Sequence, residues 1–156
     1  MSASGSPETQ VASLKQIANH SAKHGCNQMR RDPDLERDIL LAIEAYDGES
    51  RPGYADLSGI EAPDLQVKYQ VVLLHEAGLI QAVDAATLKD RFAMMPIRLT
   101  MAGHEYLDTI RDEEVWRSTK EGARAVGSFS LEALAALAKG LVREKIRKHT
   151  GVEVEL

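Results

Sequence analysis

The chain has 156 residues, 44% of them hydrophobic and 28% charged, a balance that belongs to a globular protein of one domain with extensions and excludes a disordered one. No apolar run approaches the roughly 18 residues that a membrane-spanning helix needs, and the opening MSASGSPETQ lacks the basic and apolar blocks of a secretion signal, so a cytoplasmic protein that does not enter the membrane is expected. The net charge of −5 argues against a broad basic surface with strong non-specific affinity for phosphate.

The charge is uneven along the chain. Residues 1–29 carry two basic and one acidic side chain, residues 30–118 ten and eighteen, and residues 119–156 seven and five. These blocks coincide with three expected regions: an N-terminal extension (1–29), partly flexible; a central folded domain (30–118); and a linker followed by a C-terminal amphipathic helix (119–156). Within the extension, Val11, Leu14, Ile17 and Ala18 lie at helical spacing and predict one short helix. His20, His24 and Cys26 follow, but three ligands without a second cluster fall short of a metal site, and none is expected. A single cysteine allows no internal disulfide, in keeping with a reducing compartment.

At the start of the central region, Asp32 is placed to cap a helix whose first turn accommodates Pro33. Leu35, Ile39, Leu40, Ile43 and Tyr46 form its apolar stripe, Asp47-Gly48 its stop, and Asp34, Glu36, Arg37, Asp38 and Glu44 a solvated face. Residues 48–63 are rich in Gly and Pro and predict a loop with a short strand around Tyr54 to Leu57. A second helix expected here of a standard helix-turn-helix is not legible.

From Asp64, Val67, Val71, Leu74 and Ala77 mark the buried side of a helix ending at Gly78. Glu76-Ala77-Gly78-Leu79-Ile80 then reads as helix turning into strand, and Arg98-Leu99-Thr100-Met101-Ala102-Gly103 as strand turning into helix. With strands Leu79–Val83 and Ala93–Leu99 between them, the order is helix, strand, hairpin, strand, helix, the wing side of a winged helix-turn-helix. Pro96 donates no ladder hydrogen bond, so its strand should be at an edge or bulged. In such a fold the helix from Asp64 is the recognition helix, and Gln66, Lys68, Tyr69, Gln70 and His75 are its outer positions. Gln reads adenine edges and Lys reaches guanine or phosphate; the alternative is that Tyr69 packs on the core and the others are merely solvated. Lys89, Arg91 and Arg98 on the wing are suited to phosphate contacts, offset by Asp84 and Asp90.

Thr100 caps the next helix, anchored by Leu99, Tyr106, Leu107 and Ile110. His104-Glu105 begins a metalloprotease-like H-E-x-x-H that fails at Asp108. The carboxylates Asp108, Asp112, Glu113 and Glu114 alternate with Arg111 and Arg117 and read as surface ion pairs. No Gly-rich phosphate loop, nucleophile elbow or other catalytic constellation appears, so neither an enzyme nor a cofactor is expected. Trp116 closes the core or an interface. After a polar bridge, Ser118 to Gly127, Ser130 caps a last helix reaching about His149. Leu131, Leu134, Ala138, Leu141, Val142, Lys145 and Ile146 trace one side, opposite the basic stripe Lys139, Arg143, Arg147. That apolar side is expected to mediate a homodimer; the alternative is that it folds back onto the chain's own domain.

The run Pro96 to Thr100, Ala102 to Asp108, Ile110-Arg111-Asp112 and Val115-Trp116 resembles a family of bacterial and phage proteins, domain of unknown function 2513. Arg30-Arg31-Asp32, Ile39 to Glu44, Tyr69, Leu73-Leu74 and Glu76 to Ile80 fit the same pattern, so the likeness covers about residues 30–140. Gln70 departs from it, standing where a histidine is expected. The resemblance implies a winged-helix-like fold, mostly α with a small β-hairpin wing and a C-terminal helix. It also implies frequent carriage by phage or mobile elements, with no established activity. The resulting expectation is a regulator that binds double-stranded DNA through Gln66, Lys68, Tyr69, Gln70, Lys89, Arg91 and Arg98. The alternative is a winged domain that contacts a protein partner, as in phage–host conflict. A continuous positive strip over the Lys68 helix and the Lys89 wing would favour DNA, and an apolar patch there would favour protein.

Overall fold

A computed structural model describes residues 29–46, 48 and 53–153; the short helix expected near Val11, together with His20, His24 and Cys26, lies outside them. Among the described residues are five helices and one antiparallel hairpin: α1 (Pro33–Glu44), α2 (Asp64–Glu76), β1 (Ile80–Asp84), β2 (Met94–Leu99), α3 (Met101–Ile110), α4 (Glu113–Val126) and α5 (Leu131–Thr150). The fold is therefore mostly α with a small hairpin, as expected.

Helix α1 begins as its sequence dictates. The Asp32 carboxylate accepts from the amides of Asp34 and Leu35 at 3.1 and 3.3 Å, with proline in the first turn. Ile39, Leu40 and Ile43 are buried. The expected solvated face of α1 needs correction. Asp34 accepts hydrogen bonds from the Trp116 indole at 2.8 Å and the Lys120 ammonium at 2.6 Å. The Arg37 guanidinium donates to the carbonyls of Ile110 and Arg111, and Glu36 is buried. These charges lash α1 to α3 and α4. Arg37 and Lys120 also sit 6.0 and 5.4 Å from the Trp116 ring centre, within cation–π reach.

The strand expected around Tyr54 to Leu57 does not form; one hydrogen bond, from the Ala55 amide to the Pro96 carbonyl at 2.7 Å, lays this loop along β2. Helix α2 buries Val67, Val71 and Leu74, while Ala77, expected on the same stripe, is exposed because the helix has already ended. Gly78 takes a positive φ of 72° and the Leu79 amide reaches back to the Leu74 carbonyl at 3.0 Å, which closes the helix and starts β1. The hairpin pairs Ile80 with Leu99 and Gln81 with Arg98, then Ala82 with Pro96, so Ile97 is the extra residue of a β-bulge. Pro96 thus sits beside an irregularity, as its missing amide requires.

Both junctions flanking the hairpin are tied together. The Thr100 amide donates to the Leu79 carbonyl at 3.0 Å, and its hydroxyl donates to the Gly78 carbonyl at 2.6 Å while accepting from the Gly103 amide at 3.1 Å. One threonine therefore caps α3 and holds the end of α2.

Residues 118–126 of the expected polar bridge belong instead to α4. It is capped by Asp112 at the Val115 amide, 2.9 Å, and terminated by Gly127 at φ 72°. Its buried side is Trp116, Thr119 and Ala123, with Gly122 against the Leu137 side chain of α5. Helix α5 packs on α4 and α3 and buries Leu134 and Ala138 completely. Other members of its apolar stripe, Leu131, Leu141 and Val142, are half-buried against the same core.

Candidate interaction surface

The residues expected to meet a partner lie on α2 and on the hairpin, so the surroundings of those side chains decide what that surface is able to do. The expectation that Gln66 and Gln70 face outward is corrected. Gln70 is completely buried and clamps the chain before α1: its amide nitrogen donates to the Arg30 carbonyl at 2.8 Å and its oxygen accepts from the Asp32 amide at 3.1 Å. Gln66, also buried, donates to the Asp32 carboxylate at 3.3 Å, and its own side-chain oxygen has no partner among the described residues. Residues 66 and 70 lie one turn apart beside Val67 and Val71, so they share the wide buried arc of the helix. Gln70 is tolerated there because both ends of its amide find backbone partners.

A second buried group adjoins this clamp. The Arg31 guanidinium grips Glu36 with two bonds of 2.6 and 2.7 Å and also donates to the Phe129 carbonyl, bridging α1 to the turn before α5. Burial pushes the Glu36 carboxyl above the usual range, an effect that the hydrogen bonds from Arg31 partly offset. Burial likewise pushes the neighbouring Tyr106 hydroxyl up to about 12, with the Glu36 charge adding to it. Tyr106 stays neutral at physiological pH.

Lys68 is only partly exposed, and its ammonium lies 2.6 Å from both the Asp64 and the Asp90 carboxylate. These hydrogen bonds, Asp64 first, raise its pKa and hold it between two anions. Tyr69 packs edge-on against Phe92 of the wing, ring centres 5.6 Å apart, which is the packing alternative for that residue. His75, exposed, has its Nδ1 3.3 Å from the Ile80 carbonyl. The outer side of α2 therefore offers no run of free cations.

The wing tip differs. Its turn is held by the Thr87 amide to the Asp90 carbonyl, the Asp90 amide to the Thr87 hydroxyl, and the Ala86 amide to the Asp84 carboxylate, at 2.8 to 3.0 Å. That fixed turn presents Leu88 at 96% exposure. Lys89 and Arg91 beside it are exposed and unpaired with any carboxylate among the described residues. Val83 and Ile97 add exposed apolar surface behind the tip. Arg98, also exposed, folds back to the Leu99 carbonyl at 3.0 Å. Sequence reasoning passed over Leu88, although a large apolar residue in a polar hairpin loop is a usable signal.

Next to the wing, the 54–62 loop, α2 and the start of β2 enclose a shallow groove of about 350 Å³. Leu57, Ile60, Val67 and Met94 line it, with Asp56, Asp64 and Lys68 at its polar margin.

The acidic run 108–114 behaves as expected of surface ion pairs. Asp108 and Glu44 share Arg111, Asp112 and Glu114 share Lys145, and Glu113 meets Arg37. The Arg111 hydrogen bonds hold the Glu44 carboxyl below its usual range, and the Val115 amide does the same for Asp112. His104, from the broken H-E-x-x-H, lies 3.6 Å from Glu44. Among the described residues no cluster has the ligands to hold a metal ion, and no helix is long and apolar enough to cross a membrane.

Residues 30–130 match the family described as hypothetical protein (DUF2513). The chain belongs to the DUF2513 family. It is also similar to an uncharacterized protein of Haemophilus influenzae, 35% identical over 120 residues, which are 76% of this chain and 99% of that protein. No solved structure matches. The family region of this DUF2513 protein spans α1 to α4, so the Gln70 clamp, the Thr100 junction and the wing all lie inside it.

Proposed function

We propose that this DUF2513 protein is a winged-helix-like protein-interaction module that meets its partner through the wing. The order of two helices, hairpin and helix supports the fold assignment. One observation carries the functional reading: the positions of α2 that would read bases are closed, Gln66 and Gln70 by burial and Lys68 by two carboxylates, while the adjacent wing projects a leucine that is 96% exposed. A large apolar side chain held out on a fixed turn suits an apolar pocket on another protein. The acidic balance of residues 30–118 opposes approach to a phosphate backbone.

A second reading, DNA contact by the wing alone, rests on Lys89, Arg91 and Arg98, which keep their positive charge exposed. Titration of labelled duplex DNA separates the two. The interaction reading expects no saturable retention at about 50 mM salt, where weak electrostatic binding is visible. Retention with a log–log salt slope of about −3, flattened by replacing Lys89 and Arg91 with Ala, would overturn it in favour of DNA, since three released counterions give that slope.

A further inference from the structure

Resting on the interaction reading, we infer the chemistry of the wing's partner: another protein with an acidic patch around an apolar socket, Leu88 entering the socket and Lys89 and Arg91 meeting the carboxylates that surround it. The uncompensated charges of the tip, their contrast with the rest of the domain and the fixed turn carry this together.

The tip is more basic than its sequence looks. From Asp84 to Arg91 acidic and basic side chains are equal in number, but folding treats them differently. The Asp90 carboxylate is drawn onto the Lys68 ammonium of α2 at 2.6 Å. Lys89 and Arg91 are exposed and meet no carboxylate among the described residues. Arg98, exposed on β2, donates to the Leu99 carbonyl and likewise meets no carboxylate among them. Against these three cations stands one carboxylate without a cation, that of Asp84, which accepts the Ala86 amide at 2.8 Å.

Elsewhere in residues 30–118 the balance is reversed. Outside β1, β2 and the turn that joins them, this stretch holds seven basic and sixteen acidic side chains. An extended polyanion, such as a duplex or an anionic bilayer, continues past the wing and is repelled by that acidic remainder. A carboxylate patch no larger than the tip meets the cations without reaching it. Opposite potentials over such a footprint set the orientation and speed the encounter.

Leu88 supplies what charge does not. At 96% exposure between Thr87 and Lys89, it puts apolar area at the centre of the contact, and the cations beside it form the polar rim. The Thr87 and Asp90 hydrogen bonds hold the turn before any partner arrives, so docking orders little new chain.

The test is carbodiimide coupling of the full chain in an extract of cells that carry its gene, with the joined peptides read by mass spectrometry. The reagent forms an amide between an ammonium and a carboxylate in contact, so it reports the inferred pair directly. The expected product joins Lys89 to an Asp or Glu of another protein. Leu88→Asp is expected to cut its yield at least about tenfold, the ratio for losing one buried leucine. Lys89→Arg keeps the charge but does not couple, so it is expected to remove the amide and to leave photo-crosslinking from benzoylphenylalanine at position 88 intact. Lys89→Glu with Arg91→Glu is expected to remove both. All these positions are exposed, so circular dichroism melts near the wild-type temperature are expected. Absence of the Lys89 amide, or photo-adducts indifferent to Lys89→Glu with Arg91→Glu, would overturn the acidic partner. Protein contacts that still depend on Leu88 would then leave the interaction reading standing. If no protein contact depends on Leu88, both fall. Retention on phosphatidylserine vesicles or duplex DNA in place of protein adducts would overturn both and assign the tip to an extended polyanion.

Discussion

Replacing Gly103 with Ala is expected to destabilise the protein by about 3 kcal/mol or more, at the upper end of what overpacking causes. A Cβ built at Gly103 would lie 2.0 Å from the Leu79 carbonyl oxygen and 3.0 Å from its carbon. No rotamer relieves that clash, because the neighbour is backbone. Nor is the carbonyl free to retreat, since it accepts the Thr100 amide that joins β1 to the start of α3. Helix α3 would have to slide away from the hairpin, taking buried Tyr106 and Leu107 with it. Urea denaturation measures the loss, and a change below about 1 kcal/mol would mean that α3 does not approach the hairpin this closely.

Leu74→Ala is expected to cost about 2–5 kcal/mol. Leu74 is 1% exposed, on the side of α2 that packs against α1 and the hairpin, and its carbonyl also accepts the Leu79 amide that terminates the helix. Removing the side chain opens a cavity where three elements meet, and the rigid Gly78 turn limits collapse into it. The same denaturation experiment applies; a loss under about 1 kcal/mol would place this face of α2 toward solvent.

Local chemistry made much of the fold legible. Asp32-Pro33, Thr100, Gly78 and Ser130 each announce an element end through hydrogen bonds that their own backbone neighbourhood supplies, and Pro96 announced the irregularity realised at Ile97. The second half of helix α4 was hidden because beyond Trp116 its buried residues are only Thr119 and Ala123, with the half-buried Gly122 beside Leu137, small residues that an apolar stripe does not register. The surface of α2 was misread for a different reason. Gln66 and Gln70 are polar and sit at plausible outer positions, and only their partners at Arg30 and Asp32, far back in the chain, make their burial tolerable. Lys68 likewise looked available until folding brought Asp90 to it across 22 residues. Distant partners of this kind leave no trace in local sequence pattern.

The most direct measurement is photo-crosslinking from the wing tip, with benzoylphenylalanine in place of Leu88 in the full chain, irradiated in cells that carry the gene. Adducts to protein are the expected products. Adducts to nucleic acid alone, or no adduct from position 88, would contradict the claim that this wing is a protein-docking element.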